Sequence, residues 1–190
     1  MNVLIVTAHP ASWGFTHEIA RVYKKESEKL GKEVFVLNLY DPEYAQPFLR
    51  FEDMKRDMVI TDTHKRIQEK IAWADELVFV FPVWWVGAPA ILKNMFDQNL
   101  TPKFAYKYQQ NGSVDRLLKG KSARVFATAD GPRHMYVFAR PIWYLFWHFG
   151  ILGFCGVRIK SFDIFADMIH RRVDDERAGM LLKVVRRARA

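Results

Sequence analysis

Apolar and polar positions alternate in blocks along the chain, and the period changes from block to block. Asn2 to Ala8 is a short apolar run rich in Val and Ile, the pattern of a buried strand. His9 to Gly14 reads as a loop with Pro and Gly. Phe15 to Leu30 then takes a helical period, with Ile19, Val22 and Tyr23 on one face, Lys24, Lys25 and Glu28 among the polar positions, and Gly31 as a stop. Lys32 to Leu39 alternates toward a second strand. Tyr40 to Met58 is irregular, with Pro42 and Pro47, and Ile60 to Trp73 reads as a helix. Glu76 to Phe81 predicts a third strand, and Ala88 to Gln98 a helix with Pro89 in its first turn. Ser122 to Thr128 and Val157 to Ile164 predict a fourth and a fifth strand, and Val173 to Arg187 a last helix.

Strands alternating with helices call for a parallel sheet covered by helices on both faces. The expected architecture is a three-layer, doubly wound α/β fold of about five strands. No linker, repeat or low-complexity segment interrupts it, so residues 1–190 read as one domain, which suits the length. In such sheets ligands bind outside the carboxyl ends of the strands, where the strand order reverses. In the order 2-1-3-4-5, the loops after strands one, three and four share that edge: His9–Thr16, Pro82–Gly87 and Thr128–Tyr136.

Composition narrows the picture. One cysteine, Cys155, excludes an intrachain disulfide framework and a cysteine-rich metal site, and no metal is expected. Cys155 lies in an apolar run and reads as a buried small hydrophobe. The formal charge of +8 is partly local, since RRVDDERAGMLLKVVRRARA closes the chain. It reads as a solvated helix with a basic end, and no nucleic-acid motif accompanies it. The first ten residues lack the features of a signal peptide, and a cytoplasmic protein is expected. PIWYLFWHFGILGFCGV, residues 141 to 157, is uncharged but shorter than the roughly 20 apolar residues that span a bilayer. It reads as a buried helix and turn at a subunit contact, with peripheral membrane contact as the alternative.

The three loops carry the chemistry. AHPASWGFTHE joins a strand to a helix start, where unpaired N–H groups and a partial positive charge favour phosphate. Ser12 and Thr16 add hydroxyls, Gly14 permits close backbone approach, and His9 can donate. Neither a GxxxxGK[ST] nor a GxGxxG pattern is present. PVWWVG puts two flat aromatics at the binding edge, suited to a flat aromatic ligand or to core filling. ATADGPRHMY supplies a turn at Asp130 and Gly131 and two polar groups, His134 and Tyr136. Phosphate at one end and a planar ring at the other outline a flavin nucleotide.

FPVWWVGAPAILKNMFDQNLTPKFAY at 81 to 106, AHP at 8 to 10, ELVFVFP and FCG at 154 to 156 resemble the NAD(P)H:quinone oxidoreductase family of flavodoxin-like flavoproteins. That family includes modulator-of-drug-activity proteins and ancillary oxidoreductases of potassium-efflux systems. The similarity spans roughly residues 2 to 165. It implies bound FMN or FAD, with FMN expected because the C-terminal tail is short for adenine contacts. The phosphate would lie near His9, Ser12, Gly14, Phe15 and Thr16. The ring would lie near Pro82, Val83, Trp84, Trp85, Val86 and Gly87 on one side and Thr128, Asp130, Gly131 and Tyr136 on the other. It further implies a homodimer, to which Phe104, Tyr106 and Trp143 to Phe149 contribute. Asp130 stands where the family often has Gly, Lys103 does likewise, and Ile142 replaces the histidine that mammalian members pair with the tyrosine.

The expected reaction takes hydride from NAD(P)H, a transient donor, and passes two electrons to a quinone or another flat electrophile in one shared pocket, by ping-pong kinetics. Tyr136 is the catalytic candidate, placed to stabilise developing negative charge. Two other functions fit the same residues. One is reduction of azo or nitro compounds. The other is a regulatory partnership with a membrane potassium-efflux transporter, placing the protein at the inner face of the membrane.

Overall fold

The computed structural model describes residues 1–50, 59–169 and 174–190. The second half of the irregular stretch read over 40–58, and Val173 of the last helix, lie outside the described residues. Among the described residues, seven strands and five α-helices follow in chain order: β1 (Asn2–Thr7), α1 (Phe15–Lys29), β2 (Glu33–Asn38), α2 (Asp62–Trp73), β3 (Glu76–Pro82), α3 (Ala90–Asn99), β4 (Tyr106–Tyr108), β5 (Val114–Arg116), β6 (Ser122–Thr128), α4 (Arg133–Leu145), β7 (Arg158–Phe165) and α5 (Asp174–Arg189). Five strands form one parallel sheet in the order β2-β1-β3-β6-β7, the order expected. The antiparallel hairpin β4–β5 was not expected. Its strands are three residues each, too short for alternation to register, and only Asn111-Gly112 signals the turn.

The sheet is buried on both faces, and its period of two sorts side chains between two cores. Val3, Ile5, Val78, Val80 and Phe126 face α1 and α5 and meet Ile19, Tyr23, Val184 and Ala188. Leu4, Val6, Leu77, Phe79, Phe81 and Val125 face α2 and α3 and meet Ile67, Ile71, Leu92, Met95 and Phe96. Burying each large apolar side chain contributes roughly 1.5–3 kcal/mol.

Residues 141–157 match the buried helix and turn expected only in part: Trp147, Leu152, Cys155 and Val157 are buried, and the apolar residues before and around the turn face outward on this chain. α4 starts at Arg133 and runs through Pro141, none of its side chains is buried, and a six-residue π-helical turn, Phe146–Ile151, follows. Phe138, Ile142 and Phe149 are 78%, 68% and 67% exposed. The π turn rotates Trp147 inward. Trp147 stacks on Phe81 at 5.5 Å between centroids and meets Phe79, Phe96 and Phe162 edge-on at 5.3–5.7 Å. Trp147 is therefore core, not interface as expected of it. Cys155 is buried, which pushes its thiol up to about 11.

The basic end of α5 is not simply solvated. Arg187 and Lys183 converge on the buried carboxylate of Asp163 in β7, at 2.8 and 2.7 Å. Arg189 pairs with Glu26 at 2.6 Å, and the Lys32 ammonium donates to the Ala188 carbonyl. At the amino end of the sheet, buried Glu76 accepts from Tyr23, Arg124 and Lys160. Burial alone would raise the Asp163 carboxyl, but hydrogen bonds from Arg187 and Lys183 outweigh it and hold it below the aspartate range. A depressed carboxyl contributes stability above its unfolded value, near ~3.9, and that contribution is lost as pH falls through the folded value. Asp163→Asn is therefore expected to lower the unfolding free energy at pH 7 and to flatten its fall below about pH 4. Urea titrations of both proteins at pH 7 and pH 3 check this.

Candidate active site

The carboxyl ends of β1, β3 and β6 are adjacent, and their loops are bonded to one another. The Ala8 N–H donates to the Val80 carbonyl at 3.1 Å, and the Val83 N–H to the Thr128 carbonyl at 2.7 Å. The buried hydroxyls of Thr16 and Thr128 lie 3.3 Å apart. Sequence reasoning offered the Thr16 hydroxyl to a phosphate; in the structure it pairs with Thr128 and joins the first loop to the third.

The first loop ends in a helix start without a side-chain cap. Gly14 occupies the cap position at φ 115°, where L side chains are strained, and a Cβ built there meets nothing within 4 Å. The N–H groups of the first turn of α1 thus keep their capacity for an outside acceptor. His9 Nδ1 is held by the Ala11 backbone, whose N–H lies at 3.1 Å, and Nε2 makes no hydrogen bond among the described residues. Ser12 is exposed. Three neighbours escaped the sequence reading. His17 Nε2 donates to the Ala11 carbonyl at 2.6 Å, Trp13 stands in solvent, and Arg177 of α5 lies 5.6 Å from the Phe15 ring. The i, i+8 spacing of His9 and His17 across a loop was the available signal for the first. Nothing in the sequence pattern ties Arg177 to residue 15.

The second loop is a tight turn. The Trp84 and Gly87 N–H groups each donate to the other's carbonyl at 2.9 Å. Between them Trp85 and Val86 hold φ of 50° and 54°, left-handed values rare for a β-branched residue. Trp85 is fully exposed and Trp84 and Val86 are half-exposed, so these side chains are not core fillers. Pro82 and Val83 are partly buried at the end of β3. Strain of this kind persists where the surroundings over-determine it, characteristically at ligand sites.

The third loop is shorter than expected, because α4 begins at Arg133 and places Tyr136 on its first turn. A Cβ on Gly131 would lie 3.0 Å from the Tyr136 hydroxyl, so the missing side chain is what admits the tyrosine over the loop. The Gly131 carbonyl accepts from the Asp167 N–H at 2.9 Å, and Asp130 is exposed beside it. His134 is exposed on the helix. Between the tryptophan turn, α3 and α4 opens an apolar cavity of about 360 Å³, whose walls include Val86, Gly87, Phe96, Trp143 and Trp147. That is within the roughly 300–1,000 Å³ of small-molecule sites. A phosphate fits the uncapped helix start and a planar ring fits the exposed turn, so the residues present suit a flavin nucleotide. Among the described residues no helix is long and apolar enough to cross a membrane, and no cluster of metal-ligating side chains occurs.

A family model described as flavodoxin-like fold matches residues 1–186. The chain is 32% identical over 187 residues to an uncharacterized NAD(P)H oxidoreductase of Haemophilus influenzae, covering 95% of this chain and 91% of the relative. It is 31% identical over 211 residues to a ribosyldihydronicotinamide dehydrogenase (quinone) of Pongo abelii, covering 95% and 87%. Among solved structures it is similar to Smu.1420 from Streptococcus mutans UA159, with a TM-score of 0.82 at 31% identity over 100% of this chain and 99% of that one.

The left-handed backbone at Val86 gives a direct test of strain in the turn. Val86→Gly is expected to raise the unfolding free energy by about 0.5 kcal/mol, because relief of roughly 1–2 kcal/mol of left-handed strain is offset by roughly 0.5–1 kcal/mol of added unfolded-state entropy at a glycine. Urea denaturation of the two proteins measures it, and a loss of stability would show the turn to be relaxed.

Proposed function

The chain belongs to the flavodoxin-like fold family, and on that premise we propose that it is a flavin-dependent NAD(P)H:quinone oxidoreductase working by two-electron transfer. One observation carries the reading. An exposed, strained tryptophan turn borders an apolar cavity, and an uncapped helix start lies across the same sheet edge. The names of the Haemophilus and Pongo relatives support the donor and acceptor classes.

FMN is the cofactor we assign. When bound, it would supply hydride acceptance from NAD(P)H and hydride donation to a quinone. Its phosphate would be held by the first-turn N–H groups of α1, His9 Nε2 and the Ser12 hydroxyl, with Gly14 giving room for the approach. Phe15 and Thr16 hold that loop in place, Phe15 against Phe165 and Thr16 against Thr128. Pro82 through Gly87 would carry one edge of the ring by stacking and by backbone hydrogen bonds, and Thr128, Asp130 and Gly131 the other. The Tyr136 hydroxyl, fixed over Gly131, would donate to oxygen where negative charge develops. The apolar cavity would take nicotinamide and quinone in turn and exclude water from the transfer, which is the basis of ping-pong kinetics.

We also assign a homodimer. Phe138, Ile142, Leu145 and Phe149 recur at spacings of four, three and four and form an exposed apolar ridge on α4 and the turn after it. Such a stripe packs against a second helix. The ridge adjoins the cavity through Ile142 and Phe146, so a second copy would close the site.

The absorption spectrum of purified protein tests the first proposal. A flavin band near ~450 nm that NADPH or NADH bleaches anaerobically, and that a benzoquinone then restores, is expected from that cofactor chemistry. No band, even after addition of FMN or FAD, overturns it. Tyr136→Phe is expected to keep the band and lower turnover on the order of 100-fold. Sedimentation of the Phe138→Glu, Ile142→Glu double variant is expected to give a monomer where the parent protein gives a dimer. A monomeric parent would turn the ridge toward another partner, as the transporter reading requires.

A further inference from the structure

A second, polar cavity of about 140 Å³ lies on the opposite flank of α4 from the apolar one. Its walls include Arg133, Tyr136 and Arg140 of α4, Asp163 of β7 and Lys183 of α5. Three cationic side chains thus face one carboxylate, and that carboxylate is already engaged. Asp163 accepts from Arg187 at 2.8 and 3.2 Å and from Lys183 at 2.7 Å. Arg140 spends only its Nε, on the Phe162 carbonyl at 2.9 Å. The Arg133 side chain makes no hydrogen bond or ion pair among the described residues. The cavity therefore offers unspent guanidinium donors beside a neutralised acid, the arrangement that captures a phosphate by charge-assisted, bidentate hydrogen bonds. It lies below the roughly 300 Å³ at which pockets for whole small molecules begin, so it suits a phosphoryl group and not a heterocycle.

Its position indicates whose phosphate. Tyr136 is a wall of this cavity and also lies against Gly131 of the third loop, so one residue assigned to the hydride-transfer site is shared with it. The phosphate of the cofactor is accounted for at the other end of the sheet edge, at the start of α1. We propose that the Arg133–Arg140–Lys183 cavity seats the 2′-phosphate of the pyridine-nucleotide donor and makes this protein an NADPH-preferring enzyme. The assignment rests on the oxidoreductase reading above for its donor. The seat itself rests on the cavity and its charges.

Calorimetric titration of the purified protein with adenosine 2′,5′-bisphosphate, adenosine 5′-monophosphate and inorganic phosphate separates the two. The bisphosphate is expected to bind, and the monophosphate at least roughly tenfold more weakly, the loss that one charge-assisted contact represents. Arg133→Ser is expected to erase that difference and Arg133→Lys to keep part of it. In flavin-loaded protein, Arg133→Ser is expected to lower the NADPH to NADH ratio of kcat/KM by about tenfold. Equal binding of the two adenosine phosphates, equal competition by inorganic phosphate, or an unchanged ratio in Arg133→Ser overturns the proposal. Bisphosphate binding without any flavin band overturns the oxidoreductase reading and leaves the seat standing.

Discussion

The burial of Trp147 among Phe79, Phe81, Phe96 and Phe162 is the contact on which the proposed site depends. α4 buries none of its own side chains, so propensity alone would leave it poorly held. It is fastened at its far end by the tryptophan and at its near end by Tyr136 over Gly131. Between them the Arg140 bond to the Phe162 carbonyl and the Trp143 edge against Phe162 complete the attachment. One flank of the fastened helix walls the apolar cavity, and the other walls the polar one. The π turn is the device that makes this possible, because one extra residue per turn swings Trp147 inward while Phe146 and Phe149 stay outside.

The rest of the sheet edge is organised by hydrogen bonds between loops. Thr16 with Thr128, and Val83 with Thr128, make the end of β6 a common anchor for the phosphate side and the ring side. The strained turn is carried by β3, whose pairing to β1 and β6 on both sides leaves its end little freedom to relax. Behind this edge, the ion pairs of α5 with Asp163 and Glu26 absorb much of the C-terminal basic charge. A basic formal charge is therefore a poor guide to partners here. Among the described residues of α4, Arg133 keeps its whole guanidinium unspent and Arg140 all but its Nε.

The sheet and its order were legible because each parallel strand is a short, nearly continuous apolar run between helical segments. The loops at its carboxyl edge were legible because Pro, Gly and paired tryptophans stand where a strand must end. The hairpin was not, since Tyr106–Tyr108 and Val114–Arg116 are too short to carry a period. Residues 141–157 were legible only in part, for a different reason. Hydropathy alone cannot distinguish an apolar side chain turned to the core from one presented on a ridge. Pro141 also suggests a break that the helix does not make. The contributions of Arg177 and Lys183 were invisible because they are brought in from α5 by long-range packing.

Four of the six tryptophans sit at two optical extremes, with Trp73 and Trp143 partly buried between them. Trp13 and Trp85 lie in water along the carboxyl edge with Trp84 half-exposed beside them, while Trp147 sits in a nearly dry aromatic cluster. Emission from the first group reports the polarity of the site, and emission from the second reports the integrity of the core. A change confined to the red side of the spectrum would therefore record an event at the sheet edge in a protein that is still folded.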